Sequence, residues 1–214
     1  TVTLSEPDTD SITSSATHTS SDDPRAVRQA IILAAGRGSR LHPLTQNVPK
    51  CLVQVGGTSL IERALTALAS QGVKEAVIVV GYKGEAIRAR IGQRFAEVDI
   101  RYVEAPEYAT TNNIRSLWDA REYLDQDTLL LEADVVFDPG VIAALLADSR
   151  SSAAVAPYER ALSGTVVRRD AEGRVTSFTL RADQSRKFNA SDTYKTVNIY
   201  LLREQLLREQ RCHR

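Results

Sequence analysis

The chain of 214 residues is 43% hydrophobic and 25% charged, the composition of an ordinary folded domain with room for a sizeable core. Its 27 basic and 27 acidic residues cancel, so no global field draws it to nucleic acid or to an anionic membrane, and any basic patch must be local, as a small anionic ligand requires. Cys51 and Cys212 lie far apart without metal-ligand spacing, which excludes a disulfide framework; no apolar run reaches the length of a membrane span, and a cytoplasmic enzyme is expected.

In chain order, residues 1–24 are dominated by Ser, Thr and Asp without a period and read as a disordered leader, with one folded domain over 25–214. Ala30-Ile31-Ile32-Leu33 is a short apolar run that empties into glycine, the pattern of a buried parallel strand. Thr58 to Gln71 predicts a helix with Leu60, Ile61, Ala64, Leu65 and Leu68 on one face, capped at Thr58 or Ser59 and stopped at Gly72. Ala76 to Val80 is a second buried strand, Lys83 to Phe95 a helix, Ile100 to Glu104 a short strand and Asn113 to Leu124 a helix. A strand then opens Thr128 to Phe137, followed by a helix over Pro139 to Ala147.

Strands alternating with helices at this spacing predict an α/β, Rossmann-like, mostly parallel sheet flanked by helices. From Ala153 the pattern changes to four strand-like stretches, 153–158, 165–169, 174–180 and 196–201, which read as a small mixed or antiparallel extension across the mouth of the sheet. The direct duplication of Leu201-Leu-Arg-Glu-Gln205 in the next five residues favours helix.

Function concentrates where the first strand ends. Gly36 and Gly38 let the backbone turn tightly and approach an anion without Cβ atoms in the way, and Arg37, Arg40 and Lys50 add fixed positive charge. Pro43 and Pro49 stiffen the segment between them. The loop is neither a Walker loop nor a dinucleotide fingerprint. Two other segments should converge on it beyond the carboxyl ends of the strands. One is Gly81-Tyr82-Lys83, whose backbone either reads a base edge or simply ends a strand. The other is Glu132-Ala133-Asp134, where Asp134 is the expected ligand of Mg²⁺ and Glu132 the weaker candidate.

The run Gly-x-Gly-x-Arg-Leu-x-Pro-Leu-Thr-x-x-x-Pro-Lys-x-Leu over 36–52 resembles the signature of the nucleotidyltransferases that make NDP-sugars and CDP-alcohols. Thr111 to Trp118, Leu129 to Phe137 and Tyr194 to Tyr200 narrow the resemblance to the phosphocholine and phosphonate cytidylyltransferases, over about residues 29–203. That resemblance implies the nucleotide-diphospho-sugar transferase fold, CTP as donor, Mg²⁺ as cofactor, and a small phosphate ester or phosphonate as acceptor. It implies that Leu33, Ala34, Ala35, Gly36, Arg37, Gly38, Ser39, Gly81, Tyr82, Asn112 and Asn113 meet the nucleotide, and that Arg40 and Lys50 are catalytic. Ser116, Ser163, Thr165, Lys195 and Asn198 are assigned to the acceptor side. Asn112 and Asn113 equally suit a helix cap, and Lys195 a solvated charge.

Ser163 stands where phosphonate-type relatives tend to carry Asp, which turns the expectation from an aminoalkyl toward a hydroxyethyl acceptor and toward one half of a bifunctional, fosfomycin-type enzyme. Such relatives carry a second acidic metal ligand beyond their equivalent of Asn198 to Tyr200, where this chain has only Glu204 and Glu209 on an expected helix, so either that ligand is absent here or the chain is part of a longer, fused protein. A homo-oligomer is compatible with the sequence. The competing readings are a sugar-1-phosphate nucleotidyltransferase and a catalytically silent nucleotide-binding regulatory module.

Overall fold

Strand β1 (Gln29–Ala34) is apolar from Ala30 onward because neighbours flank it on both edges and side chains cover it on both faces; Ala30, Ile31 and Ile32 are wholly buried. The computed structural model describes residues 26–38, 41, 43–159, 164–180, 184 and 191–204. The leader read over 1–24, the site candidates Ser39, Arg40 and Ser163, and the duplicated segment beyond Glu204 lie outside the described residues. No helix among the described residues is long and apolar enough to cross a membrane.

β1 pairs in parallel with β4 (Glu75–Val80) on one side and with β7 (Thr128–Glu132) on the other, and β4 pairs in parallel with β6 (Val98–Glu104). The chain therefore runs outward from β1 in both directions, which makes β1 the switch point of the sheet. Residues of alternate parity face opposite layers. Ile32, Ile78 and Leu131 belong to the layer of α1 (Leu60–Ser70), α2 (Gly84–Ile91) and α4 (Gly140–Leu146), through Ile61, Leu65, Ile87 and Ile142. Ile31, Val77, Val79 and Leu130 belong to the other layer, with Leu117 of α3 (Asn113–Asp119) and Ala120 behind it.

Local chemistry sets most element ends. Ser59 and Glu62 form a reciprocal capping box at the start of α1, as the Ser59 candidate requires. The helix expected over 83–95 stops at Ile91, because Gly92 takes a left-handed φ of +74°; Arg94–Phe95 (β5) then folds back antiparallel on β6. The helix expected over 113–124 likewise breaks at Asp119 into a 3-10 turn, Arg121–Tyr123. A two-stranded hairpin, β2 (Gln54–Val55) and β3 (Thr58–Ser59), turns on Gly56 and Gly57 and has no hydrophobic alternation to announce it.

The extension is made of β8 (Ser152–Pro157), β9 (Val166–Arg169), β10 (Val175–Thr179) and β11 (Thr193–Leu202). These strands are antiparallel, one of the two forms expected, but they continue the main sheet from the edge of β7 instead of crossing its mouth. β11 pairs β9 through Thr193–Lys195 and β7 through Ile199–Leu202. Its pairing with β8 slips between Thr196 and Tyr200, where Asn198 adopts a left-handed φ of +60°.

Candidate active site

The carboxyl ends of β1 and β7 open into a cleft of about 190 Å³ lined by Leu33, Ala34, Gly36, Gly38, Lys50, Cys51, Asn113, Glu132, Ala133 and Asp134. Eight of the sequence candidates thus meet: Leu33, Ala34, Gly36, Gly38, Lys50, Asn113, Glu132 and Asp134. A larger groove, about 1050 Å³, lies over the antiparallel extension beside Arg169, Phe178 and Tyr194, away from these charges.

The glycine turn is built around Lys50. Gly38 has φ +64°, and a Cβ placed there would stand 2.7 Å from Lys50 Cβ, so glycine is required both by conformation and by space. Gly38 C=O accepts the Leu41 amide at 3.0 Å and the hydroxyl of Thr45, itself 2% exposed, at 2.9 Å. Gly36 differs: nothing lies within 4 Å of a Cβ there, which leaves open space on the cleft side of the turn. Lys50 begins a 3-10 turn, Lys50–Leu52, and its ammonium pairs with Asp134 Oδ2; both side chains are 26% exposed. Behind it the Cys51 thiol is buried and pushed up to about 12, chiefly by that burial, with the Asp134 charge adding to it.

Glu132 is held by amides. Asn113 Nδ2 donates to its Oε1 at 2.5 Å, and the Asn198 side chain bonds the same carboxylate. Burial, and then the neighbouring Asp134 charge, push the Glu132 carboxyl above its ordinary value, opposed by these two amides and by Lys50.

Several candidates have other duties. Asn112 caps α3, its Oδ1 accepting the Ile114 amide at 3.2 Å. At Gly81-Tyr82 part of the backbone is already engaged within the fold. The Tyr82 amide already donates to Ala35 C=O at 3.0 Å, and a Cβ at Gly81 would meet the Tyr108 ring at 2.7 Å. The Tyr82 ring lies 5.3 Å from the Arg37 guanidinium, and its hydroxyl bonds Gln46 C=O at 3.1 Å, so it braces the two arms of the glycine loop. Ser116 is 5% exposed and sits within the fold rather than on an open cleft wall. Thr165 C=O accepts from the Thr196 amide and hydroxyl, and Lys195 Nζ donates to Thr196 C=O at 2.9 Å, against Gly164; neither lines the cleft.

Among the described residues no cluster of three or more Asp, Glu, His or Cys side chains stands ready for a metal ion. The carboxylates of Asp134 and Glu132 are the hard donors at the cleft.

A glycine turn over a lysine–aspartate pair, at the switch point of a parallel sheet, is the arrangement expected of a nucleotidyltransferase, and the profile of the MobA-like NTP transferase domain matches residues 30–190. The chain belongs to that family. Among relatives of this NTP transferase domain, the CMP-5'-(3-aminopropyl)phosphonate synthase of Streptomyces rubellomurinus is 46% identical over 183 residues, covering 85% of this chain and 29% of that protein. The 2-aminoethylphosphonate cytidylyltransferase of Lancefieldella rimae is 43% identical over 108 residues, 50% of this chain and 43% of that one. The chain therefore spans less than half the length of these curated relatives. Among solved structures, the CTP:phosphocholine cytidylyltransferase of Streptococcus pneumoniae superposes with a TM-score of 0.64 at 25% identity, covering 86% of this chain and 74% of that chain.

Proposed function

We propose that the domain transfers a cytidylyl group from CTP to a small alkylphosphonate and releases pyrophosphate. The observation that supports this most is the Lys50–Asp134 pair beneath the Gly36–Gly38 turn. The cleft is smaller than the roughly 300–1,000 Å³ that encloses a drug-sized ligand, and so suits the phosphate tail rather than a whole nucleotide. The named activities of the Streptomyces and Lancefieldella relatives supply the cytidine and the phosphonate.

In the proposed reaction a phosphonate oxygen forms a bond to the α-phosphorus of CTP, the bond from that phosphorus to the β-bridging oxygen breaks in line, and pyrophosphate carries away the electron pair. No covalent enzyme intermediate is needed, because positioning and charge stabilisation suffice. The open backbone at Gly36 accepts the phosphate tail, and Lys50 swings from Asp134 to the transferring phosphoryl group, where its charge opposes the developing negative charge. Asp134, released from Lys50 and joined by nucleotide phosphates, is a donor set that fits Mg²⁺, which is usually held by one or two carboxylates together with substrate phosphates. Bound there, the ion would neutralise phosphate charge.

The test is incubation with CTP, UTP or dTTP and Mg²⁺, with 2-aminoethyl-, 3-aminopropyl- and 2-hydroxyethylphosphonate, phosphocholine and glucose 1-phosphate as acceptors, read by ³¹P NMR and product mass. A CMP-phosphonate with stoichiometric pyrophosphate is expected. Turnover confined to the sugar phosphate, or no turnover with any pair, refutes the proposal. The hydroxyethyl arm tests the expectation placed on Ser163.

A further inference from the structure

One carboxylate at the cleft is shared by two elements that approach it from opposite sides. Glu132 ends β7, and β7 lies between β1 and β11. Asn113, the first residue of α3, donates Nδ2–H to Glu132 Oε1 at 2.5 Å. From β11 the Asn198 side chain bonds the same carboxylate. A carboxylate only accepts, so the Asn198 NH₂ is the donor of this second bond, and its Oδ1 lies 3.1 Å from the Thr196 hydroxyl oxygen and 3.4 Å from that of Tyr200.

The backbone is arranged to make this possible. Ile199 pairs with Leu131 in antiparallel register, so the residue before it, Asn198, falls beside Glu132. It reaches inward because Asn198 takes φ +60° at the slip in β11, a conformation that other L-residues adopt reluctantly. A strained residue held by several bonds beside a cleft marks a place where geometry is tightly set.

We infer that Glu132 is a positioning residue: its carboxylate clasps the amide of Asn113 at the start of α3 to the amide of Asn198 on β11, and so sets the spacing between the nucleotide side and the acceptor side of the cleft. The inference rests on the cytidylyl-transfer reading, since the spacing matters for the in-line approach of acceptor to α-phosphorus. A carboxylate is needed because it has acceptors only and takes two amide donors at once. An amide in its place satisfies one partner and turns its own NH₂ toward the other.

The test is a swap of polarity across the clasp. Glu132→Gln leaves one amide facing an NH₂ group, and kcat is expected to fall about ten- to a hundredfold, the effect of losing a charge-assisted hydrogen bond. The Kd for CTP, followed by fluorescence of Trp118 on α3, the single tryptophan of the chain, should change less than about threefold, because each side still binds alone. The double variant E132Q/N198D restores complementarity, the new amide at 132 donating to the new carboxylate at 198, and kcat should return to within about threefold of wild type. Asn113→Ala, at an exposed position, removes the other arm without threatening the fold and should lower kcat.

The Asn113 side-chain NH₂ resonances provide a readout free of turnover. They should shift in E132Q and return in E132Q/N198D. Unchanged kcat in E132Q and N113A, or a loss in folded E132Q that N198D does not repair, overturns the positioning role. If the wild-type domain transfers no nucleotide at all, the cytidylyl-transfer reading fails by itself. The clasp then stands or falls on whether the Asn113 resonances respond to the substitutions.

Discussion

Gly38→Ala is the substitution that separates a glycine chosen for its turn from one chosen for its loop. At φ +64° the new Cβ costs about 1–2 kcal/mol from backbone conformation alone. The same Cβ would stand 2.7 Å from Lys50 Cβ, an atom next to the backbone that cannot swing aside. Overpacking of this kind adds about 1–3 kcal/mol. Together these give about 2–5 kcal/mol, which in a domain of this size lowers Tm by about 4–20 °C. The strain is relieved by moving Lys50 away from the turn, so the loss of activity should exceed the loss of stability. Gly36→Ala is the internal control: no heavy atom lies within 4 Å of its Cβ and its φ is outside the left-handed region, so its stability should stay within about 0.5 kcal/mol of wild type. Thermal unfolding of both variants, with cytidylyl transfer measured at 25 °C, decides the matter. A Gly38→Ala protein as stable as Gly36→Ala and as active as wild type would refute the account of the turn.

Lys50→Ala should lower kcat by about 10²–10³-fold, the range for removing one preorganised donor to developing charge, while circular dichroism and Tm remain near wild type. Cys51, 2% exposed and with its thiol raised to about 12, should resist maleimide at pH 8 in a Cys212→Ser background until the protein unfolds; rapid labelling of the native protein would contradict its burial. Glu62 sits below its ordinary carboxylate value, first through the Ser59 hydroxyl bond and also through Arg90. A depressed carboxylate stabilises the fold above its unfolded value near 4.5 and loses that contribution as pH falls through the lower folded value, so Glu62→Gln should destabilise the protein at pH 7 and flatten its stability curve below about pH 4.5. Equal acid sensitivity of variant and wild type in urea titrations would show that Glu62 does not matter there.

The parallel core was legible because buried strands betray themselves as apolar runs, and Ala30 to Leu33, Ala76 to Val80 and Leu129 to Leu131 all lie where expected. The α1 cap was legible because Ser59 and Glu62 are three residues apart. Element ends were less so: Gly92 was passed over as a helix stop, and the Gly56-Gly57 hairpin joins strands of two residues each. At the site, Gly36, Arg37, Gly38, Lys50 and Asp134 follow from residue type and spacing, and Leu33 to Ala35 from resemblance alone. Ser116 was placed on the acceptor side by resemblance, and no local pattern could show that α3 turns it inward.

What near neighbours along the chain dictate, the amino-acid order alone established: strand or helix period, the glycine turn, and the charges that follow it. Which of those charges meet was settled by packing, since Lys50 and Asp134 are 84 positions apart and come together only through the register of β1 against β7. The grip of Asn113 and Asn198 on Glu132 depends further on a slip in β11, an irregularity that arises where one strand must pair with β9 and then with β7. Such a kink is a compromise among three partner strands, and none of them is its neighbour in sequence.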